Sequence, residues 1–79
     1  MSLKYPAEHI HWRVTLESSN VAAVGWDRHK RMYVNFRSGS VYVYDGVTRQ
    51  RAVATSRAKS VGEYITRVIV PNYPAVRVT

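Results

Sequence analysis

The fold is decided by residues 32–44, MYVNFRSGSVYVY, in which two strand-like segments flank a loop that contains a glycine. Met32, Val34 and Phe36 alternate with residues of the opposite face, which is the period of a strand with one apolar side. Gly39 stands where a three-residue hairpin loop needs a left-handed backbone. The stretch therefore predicts a β-hairpin in which three pairs face each other: Phe36 with Ser40, Val34 with Tyr42, and Met32 with Tyr44.

Two further strands are predicted on the N-terminal side of this hairpin. Apolar and polar residues alternate strictly over residues 10–17, which is typical of a half-buried strand. Residues 18–20, Ser-Ser-Asn, predict a bend or bulge, and residues 21–26 predict a second extended segment. Asp27 favours a type I turn that leads from this segment into the hairpin.

Two short helices are predicted on the C-terminal side. Thr48 is a suitable N-cap for a helix over residues 49–58, although the apolar residues of that helix scatter around its surface instead of forming a stripe. Ser60 and Glu63 form the pattern of a capping box for a second helix. Pro71 ends that helix because proline cannot continue the backbone hydrogen-bond ladder.

Together these elements predict one α+β domain, an antiparallel β-meander of three to four strands with two short helices packed on one face. Residues 1–79 form this single domain, residues 1–13 being an N-terminal extension and the start of the first strand. Residues 76–78 are a candidate last edge strand. The chain has no cysteine, no apolar run of membrane-spanning length and no secretory signal, so we expect a cytoplasmic protein without disulfides.

The charge balance favours a polyanionic partner. Lys and Arg number 12 against 5 Asp and Glu, the net charge is +7, and nine of the cations are arginine. A strongly basic domain is the first feature expected of a nucleic-acid binder, although the same charge also suits a solvated surface. The candidate phosphate contacts are the cations of the turn, the hairpin loop and the first helix: Arg28, Lys30, Arg31, Arg37, Arg49, Arg51, Arg57 and Lys59.

Several motifs carry a resemblance to a known family. They are SSNV at residues 18–21, VGWD at 24–27, FRSGSVYVY at 36–44 and SVGEYI at 60–65, and over roughly residues 14–78 the chain resembles the KTSC domain. One departure is Thr55-Ser56, where the family pattern has apolar residues, which predicts a poorly anchored first helix. The resemblance implies structural roles for six motif residues: Gly39, Tyr42, Tyr44, Ser60, Gly62 and Tyr64.

The resemblance also carries expectations about function. The KTSC domain is found at the C-terminus of some lysyl-tRNA synthetases and as small bacterial or phage proteins, which implies RNA binding through association with that enzyme. The catalytic domain of the synthetase is absent, so the resemblance implies no aminoacylation activity.

The two hairpin tyrosines allow two interpretations. Tyr42 and Tyr44 share one strand face and could form an open stacking platform for bases. The hairpin register, however, places them beside apolar residues, which favours rings that lie under the helices. The opposite face, with Tyr33, Val41, Val43 and Arg37, is then the better contact surface if nothing covers it.

Catalytic and metal sites are not predicted. The carboxylates are scattered, and no nucleophile and base can be paired with matched roles. His9 and His11 have a metal-compatible spacing but lack a third ligand, so we expect no metal and no cofactor. The sequence therefore predicts a binding module that recognises RNA or another nucleic acid. The alternative is a protein-interaction domain that forms a homodimer through the edge of its first strand.

Overall fold

The computed structural model describes residues 10–15 and 18–78, which form a five-stranded antiparallel sheet with the helical segments on one face. The strands lie side by side in chain order, and the last strand joins the sheet after the helices. The elements are β1 (His11–Val14), β2 (Val21–Trp26), β3 (Arg31–Phe36), β4 (Val41–Asp45), α1 (Arg49–Ser56), α2 (Val61–Tyr64), a π-helical turn (Ile65–Ile69) and β5 (Ala75–Arg77).

The predicted α+β meander is confirmed, with one strand more than expected. The additional strand is β5, which pairs antiparallel with β4 over three residues and corresponds to the candidate edge strand at 76–78. The first strand is shorter than its alternating pattern, since β1 ends at Val14 and residues 16–17 lie outside the described residues. The bend at 18–20 is present, and the pairing of β2 with β3 has a bulge between Val21 and Ala23.

The central hairpin has the predicted register. Val34 pairs with Tyr42 and Met32 with Tyr44, and the Phe36 N–H donates to the carbonyl of Ser40 at 2.9 Å. Gly39 has φ 101, a left-handed backbone that glycine adopts without steric cost. The loop length and this glycine are therefore sufficient to fix which side chains share a face.

The hydrophobic core lies between the sheet and the helices. Tyr44 is 5% exposed and belongs to this core, whereas Phe36, Tyr42 and Tyr64 are half-buried and pack against its margin. Each fully buried aliphatic side chain contributes roughly 1.5–3 kcal/mol to folding. The core residues are Val21, Val24, Met32, Val34, Tyr44, Val47, Ala52, Val61, Ile65 and Ile69.

Helix α1 is anchored by polar side chains. Its buried residues are Ala52, Thr55 and Ser56. The Thr55 hydroxyl donates to the Arg51 carbonyl at 2.8 Å, and the Ser56 hydroxyl donates to the Val53 carbonyl at 2.8 Å. Hydroxyls that bond their own helix backbone can be buried without an unpaired polar group, so the expectation of a poorly anchored helix was wrong.

The capping predictions are confirmed in part. The Thr48 side chain accepts from the Arg51 N–H at 3.2 Å, and the Ser60 hydroxyl accepts from the Glu63 N–H at 3.4 Å. The Glu63 carboxylate lies 3.5 Å from Nη2 of Arg67. Only the Ser60 half of the capping box is therefore present.

The second helical segment widens into a π-helical turn. The Val70 N–H donates to the carbonyl of Ile65, five residues earlier, at 2.8 Å. Val61, Ile65 and Ile69 recur at every fourth residue and are all buried. Such a spacing drifts around a regular α-helix, and the wider turn brings Ile69 back towards the sheet.

The face of the sheet opposite the helices is closed at its centre. Tyr33 is 0% exposed, and the Trp12 ring lies 6.2 Å from the Tyr33 ring. A Cβ added at Gly25 would stand 2.9 Å from Cε3 of Trp12, so the absence of a side chain there allows the indole to lie on the sheet. Because Tyr33 is buried, this face is not the mixed contact surface predicted from the sequence. The large apolar side chains that it exposes, those of Trp12, Val14 and Val76, lie on the two edge strands, and the exposed carboxylate of Asp45 lies on β4.

Candidate functional site

An open cleft of about 750 Å³ lies between the loop that joins β1 to β2 and the segment that joins α1 to α2. Three cations from three different elements line it: Arg13 from β1, Lys59 from the interhelical segment and Arg67 from the π-helical turn. We call this feature the cationic cleft. Glu63 is the one carboxylate among its described lining residues, and it is 3.5 Å from Arg67.

The direction of β1 places Arg13 at the cleft. Arg13 pairs with Val24, a core residue on the helix-facing side of the sheet, so Arg13 points to that side too. The apolar residues of β1, Trp12 and Val14, therefore face away from the helices. All four residues of β1 are exposed, and the half-buried strand predicted from the alternation is an exposed edge strand.

Hydroxyl groups shape the walls of the cationic cleft. The Ser18 hydroxyl accepts from the N–H groups of Asn20 at 3.3 Å and Val21 at 3.0 Å, which fixes the turn into β2. The Thr66 hydroxyl donates to the Gly62 carbonyl at 3.0 Å. Because the hydroxyls of Ser18 and Thr66 bond nearby backbone groups, the described residues on each wall are held in place around them.

Arg37 fastens the β1–β2 loop from the hairpin side. Its Nε donates to the Ser18 carbonyl at 2.8 Å and its Nη2 to the Thr15 carbonyl at 2.8 Å. Its backbone N–H donates to the Asn20 carbonyl at 2.8 Å. The guanidinium partners are neutral, so the positive charge of Arg37 stays uncompensated by them.

A buried carboxylate organises the turn at the other end of β3. One oxygen of Asp27 accepts from Nε of Arg31 and from the Tyr33 hydroxyl, both at 2.8 Å, and the other accepts from the N–H groups of His29 at 2.8 Å and Arg31 at 3.2 Å. Burial alone would raise the pKa of Asp27, but the bonds from Tyr33, His29 and Arg31 overcome it and hold the pKa below its ordinary value. Lys30 completes the turn with φ 60.

The sequence comparison identifies the family to which this arrangement belongs. Residues 17–73 match the sequence profile of the KTSC domain. The chain belongs to the KTSC family. It is 32% identical over 62 residues to an uncharacterized protein of Stutzerimonas stutzeri (strain A1501), a match that covers 77% of this chain and 87% of the relative.

A solved structure shares the fold of this KTSC domain. The crystal structure of the KTSC domain protein YPO2434 from Yersinia pestis superimposes with a TM-score of 0.79 at 21% identity. The match covers 89% of this chain and 99% of that chain. At this level of identity the likeness concerns the fold alone.

The motif residues of the KTSC domain mainly support its structure. Gly39 closes the hairpin, Tyr44 lies in the core, and the Ser60 hydroxyl caps α2. The Tyr64 hydroxyl accepts from Nη1 of Arg51 at 2.8 Å. Gly62 has no atom within 4 Å of where its Cβ would stand, so nothing packs on this position.

The candidate phosphate contacts do not form one patch. Arg28 and Lys30 are exposed on the β2–β3 turn, where Arg31 is neutralised by Asp27. The length of β3, about 20 Å, separates them from Arg37. Arg49, Arg51 and Arg57 are exposed on or beside α1, and Arg51 donates to the Tyr64 hydroxyl.

Of the eight predicted cations, only Lys59 lines the cationic cleft, although Arg37 fastens the loop that forms one of its walls. Sequence reasoning missed Arg13 and Arg67. Arg13 is hidden in a regular alternation, and Arg67 lies one turn after Glu63, a spacing that predicts a surface ion pair. Only the folded chain brings both to Lys59, so no local pattern indicates the cluster.

Other classes of site lack support in the part of the chain that the structure describes. No group of three potential metal ligands occurs there, and His11 stacks on Trp26 with 6.5 Å between ring centroids. His9 lies outside the described residues. No described helix has the length and hydropathy required to cross a membrane.

Proposed function

We propose that this KTSC domain is a nucleic-acid-binding module, not an enzyme, and that phosphates bind in the cationic cleft. The observation that carries the proposal is the convergence of Arg13, Lys59 and Arg67 on one open volume of about 750 Å³. As proposed, the domain acts in the cytoplasm of a bacterium or of a phage-infected cell, with RNA as the preferred partner.

The chemistry of the cleft suits a phosphate chain. Arginine donates a planar fork that matches phosphate oxygens, and lysine adds a compact charge. The Ser18 and Ser60 hydroxyls accept from backbone N–H groups, so each can still donate its own hydrogen, and hydroxyls are among the neutral groups that often contact phosphate oxygens. Among the described carboxylates, Asp27 is buried against Arg31, Glu63 is close to Arg67, and the exposed Asp45 does not line the cleft.

Salt dependence provides the direct test. Neutralising phosphates releases counterions, so log K falls with log salt by about 0.7 per contact for a single strand. Arg13 and Lys59 then predict a slope of about −1.4 with a short mixed-sequence RNA. Arg67 can steepen the slope to about −2 at most, because Glu63 offsets part of its charge. Replacing Arg13 or Lys59 with Ala should reduce the steepness by about 0.7 each.

A matched control lies at the other end of the molecule. Arg28→Ala and Lys30→Ala each remove one exposed cation from the β2–β3 turn and should leave the slope nearly unchanged. Absence of RNA binding by the folded protein at low salt would refute the proposed function. Equal losses of slope in the turn and cleft variants would show that the cleft is not the binding surface.

A protein-interaction role is the second candidate, and β1 is the observation that favours it. This strand lies at the sheet edge, with Trp12 39% and Val14 67% exposed. An open edge can pair with the same edge of a second copy. Pairing two β1 strands would also bring together His11 and Arg13 from both copies without a carboxylate on either strand, which disfavours it.

Sedimentation over a wide range of protein concentration distinguishes this second candidate. A self-associating domain should show a concentration-dependent dimer that Trp12→Ser weakens. A monomer at every concentration would exclude the homodimer and leave the nucleic-acid proposal unaffected.

A further inference from the structure

A second depression adjoins the cationic cleft at the hairpin end of the sheet. It has a volume of about 610 Å³, and Phe36 and Tyr42 line it together with Arg37, Asn20, Ser38 and Ser40. We call it the aromatic groove. Its composition differs from that of the cleft, because ring surface takes the place of most of the charge.

The two rings of the aromatic groove are only half-buried. Phe36 ends β3 and Tyr42 lies near the start of β4, so both are at the margin of the core that the helices cover. Their centroids are 5.6 Å apart, and the rings are perpendicular. Tyr44, two residues further along the same strand face, is buried. Exposure therefore increases from Tyr44 in the core to Phe36 and Tyr42 at its margin, and these two rings keep part of their surface available to a ligand.

The aromatic groove and the cationic cleft share a wall. Ser19 and Asn20 line both depressions, and Arg37 holds the loop that carries them. A ligand that follows the cleft past this loop therefore enters the groove. A cationic region followed by planar rings along one path matches a strand of nucleotides, in which each phosphate is followed by a base.

We propose that the aromatic groove accepts an unpaired base of a single-stranded nucleic acid whose phosphates lie in the cationic cleft. This inference rests on the proposed function and adds the class of nucleic acid to it. A base stacks on aromatic rings only when its face is free, which excludes a base inside a duplex. The amide of Asn20 and the hydroxyls of Ser38 and Ser40 provide hydrogen-bonding groups for the base edge.

The test compares three strands of equal length: a short mixed-sequence RNA, the same sequence as a duplex, and an abasic ribose-phosphate strand. The single strand should bind about 5- to 150-fold more tightly than the abasic strand, the range expected for one stacked base. The salt slopes of these two should agree, because their phosphates are equivalent. Equal affinity for the single strand and the abasic strand would refute base binding in the groove and would leave the proposal of phosphate binding in the cleft intact. If none of the three strands bound, the proposed function itself would be refuted.

Leucine variants locate the base. Phe36→Leu and Tyr42→Leu keep apolar volume against the core but remove the rings, so each should abolish the preference for the single strand over the abasic strand. Tyr64→Leu is the matched control, since Tyr64 is also a half-buried aromatic at the margin of the core but does not line the groove. It should keep the preference.

Ring-proton NMR of the unchanged protein tests the same point without depending on how the variants fold. Adding the single strand should shift the resonances of Phe36 and Tyr42 more than those of Tyr64 and Tyr73. Shifts confined to Tyr64 and Tyr73 would refute base binding in the groove.

Discussion

Two arginines at opposite ends of β3 have the same side chain but different electrostatic roles. Arg31 donates to the buried carboxylate of Asp27, which cancels its charge. Arg37 donates to the carbonyls of Ser18 and Thr15, which orient its guanidinium and leave its charge in place. An arginine held by carbonyls can therefore be ordered and still attract an anion, whereas one held by a carboxylate contributes little to the external field.

The largest effect on stability is expected at the end of β3 where Asp27 binds Arg31. Asp27→Ala removes the acceptor of two side-chain and two backbone donors, and we expect a loss of about 3 kcal/mol in the free energy of unfolding, since breaking a buried pair leaves donors unpaired. Urea denaturation measures it. Asp45→Ala, which removes an exposed carboxylate from the neighbouring strand, is the control and should cost no more than about 0.5 kcal/mol. A loss as small as that from Asp27→Ala would show that the network does not stabilise the fold.

Acid should reduce the stability that Asp27 contributes at this end of β3. The pKa of Asp27 is lowered in the folded state, so below the ordinary value of about 3.9 the unfolded chain binds more protons than the folded chain. The stability from Asp27 is complete above that pH and is lost as the pH falls through the folded value. The gap in unfolding free energy between the wild type and Asp27→Asn should therefore narrow in strong acid. A constant gap would contradict the lowered pKa.

A smaller effect on stability is expected at the other end of β3, where Arg37 binds the carbonyls of Ser18 and Thr15. Arg37→Lys keeps the charge but loses the fork that bonds two carbonyls, and we expect a loss of about 1 kcal/mol in the free energy of unfolding because the site is exposed. Protection of the loop amides from hydrogen exchange should decrease at Asn20 and Val21. Unchanged protection would show that Arg37 does not hold the loop.

The smallest effect is expected in the salt dependence of RNA binding, where Arg31 and Arg37 can be compared directly. Arg31→Gln should change the salt slope of RNA binding by almost nothing, because Arg31 is held by Asp27 on the turn at the far end of β3 and does not line the cleft. Arg37→Gln removes an uncompensated charge near the cleft and should reduce the steepness of the salt slope by less than the value of about 0.7 expected for a cation that contacts a phosphate. The reverse order would mean that the partner of an arginine does not decide its contribution to binding.

The sequence predicted features set by near neighbours and missed those set by distant ones. The hairpin register follows from the loop length and Gly39, and the caps at Thr48 and Ser60 are local as well. The burial of Thr55 depends on a bond to its own helix backbone, which a hydrophobic pattern does not record.

The candidate site shows the same division. Composition indicated a cationic surface, but the residues of the cleft are far apart in sequence. Arg13 and Arg67 come together with Lys59 only when the first strand and the last helical segment are both in place. The alternation over residues 10–17 predicts a strand but cannot tell which of its faces meets the helices, and that choice directs Arg13 to the cleft.

The π-helical turn has a consequence for engineering the stability of this domain. A wider turn holds one residue more than a regular helical turn, so deleting Thr66 would make the segment a uniform α-helix. The same deletion would rotate Arg67 around the helix axis and away from Lys59. Making this helix regular would be expected to raise the stability of the domain and to weaken the anion binding proposed for the cleft, since an ideal backbone and a functional site often have conflicting requirements.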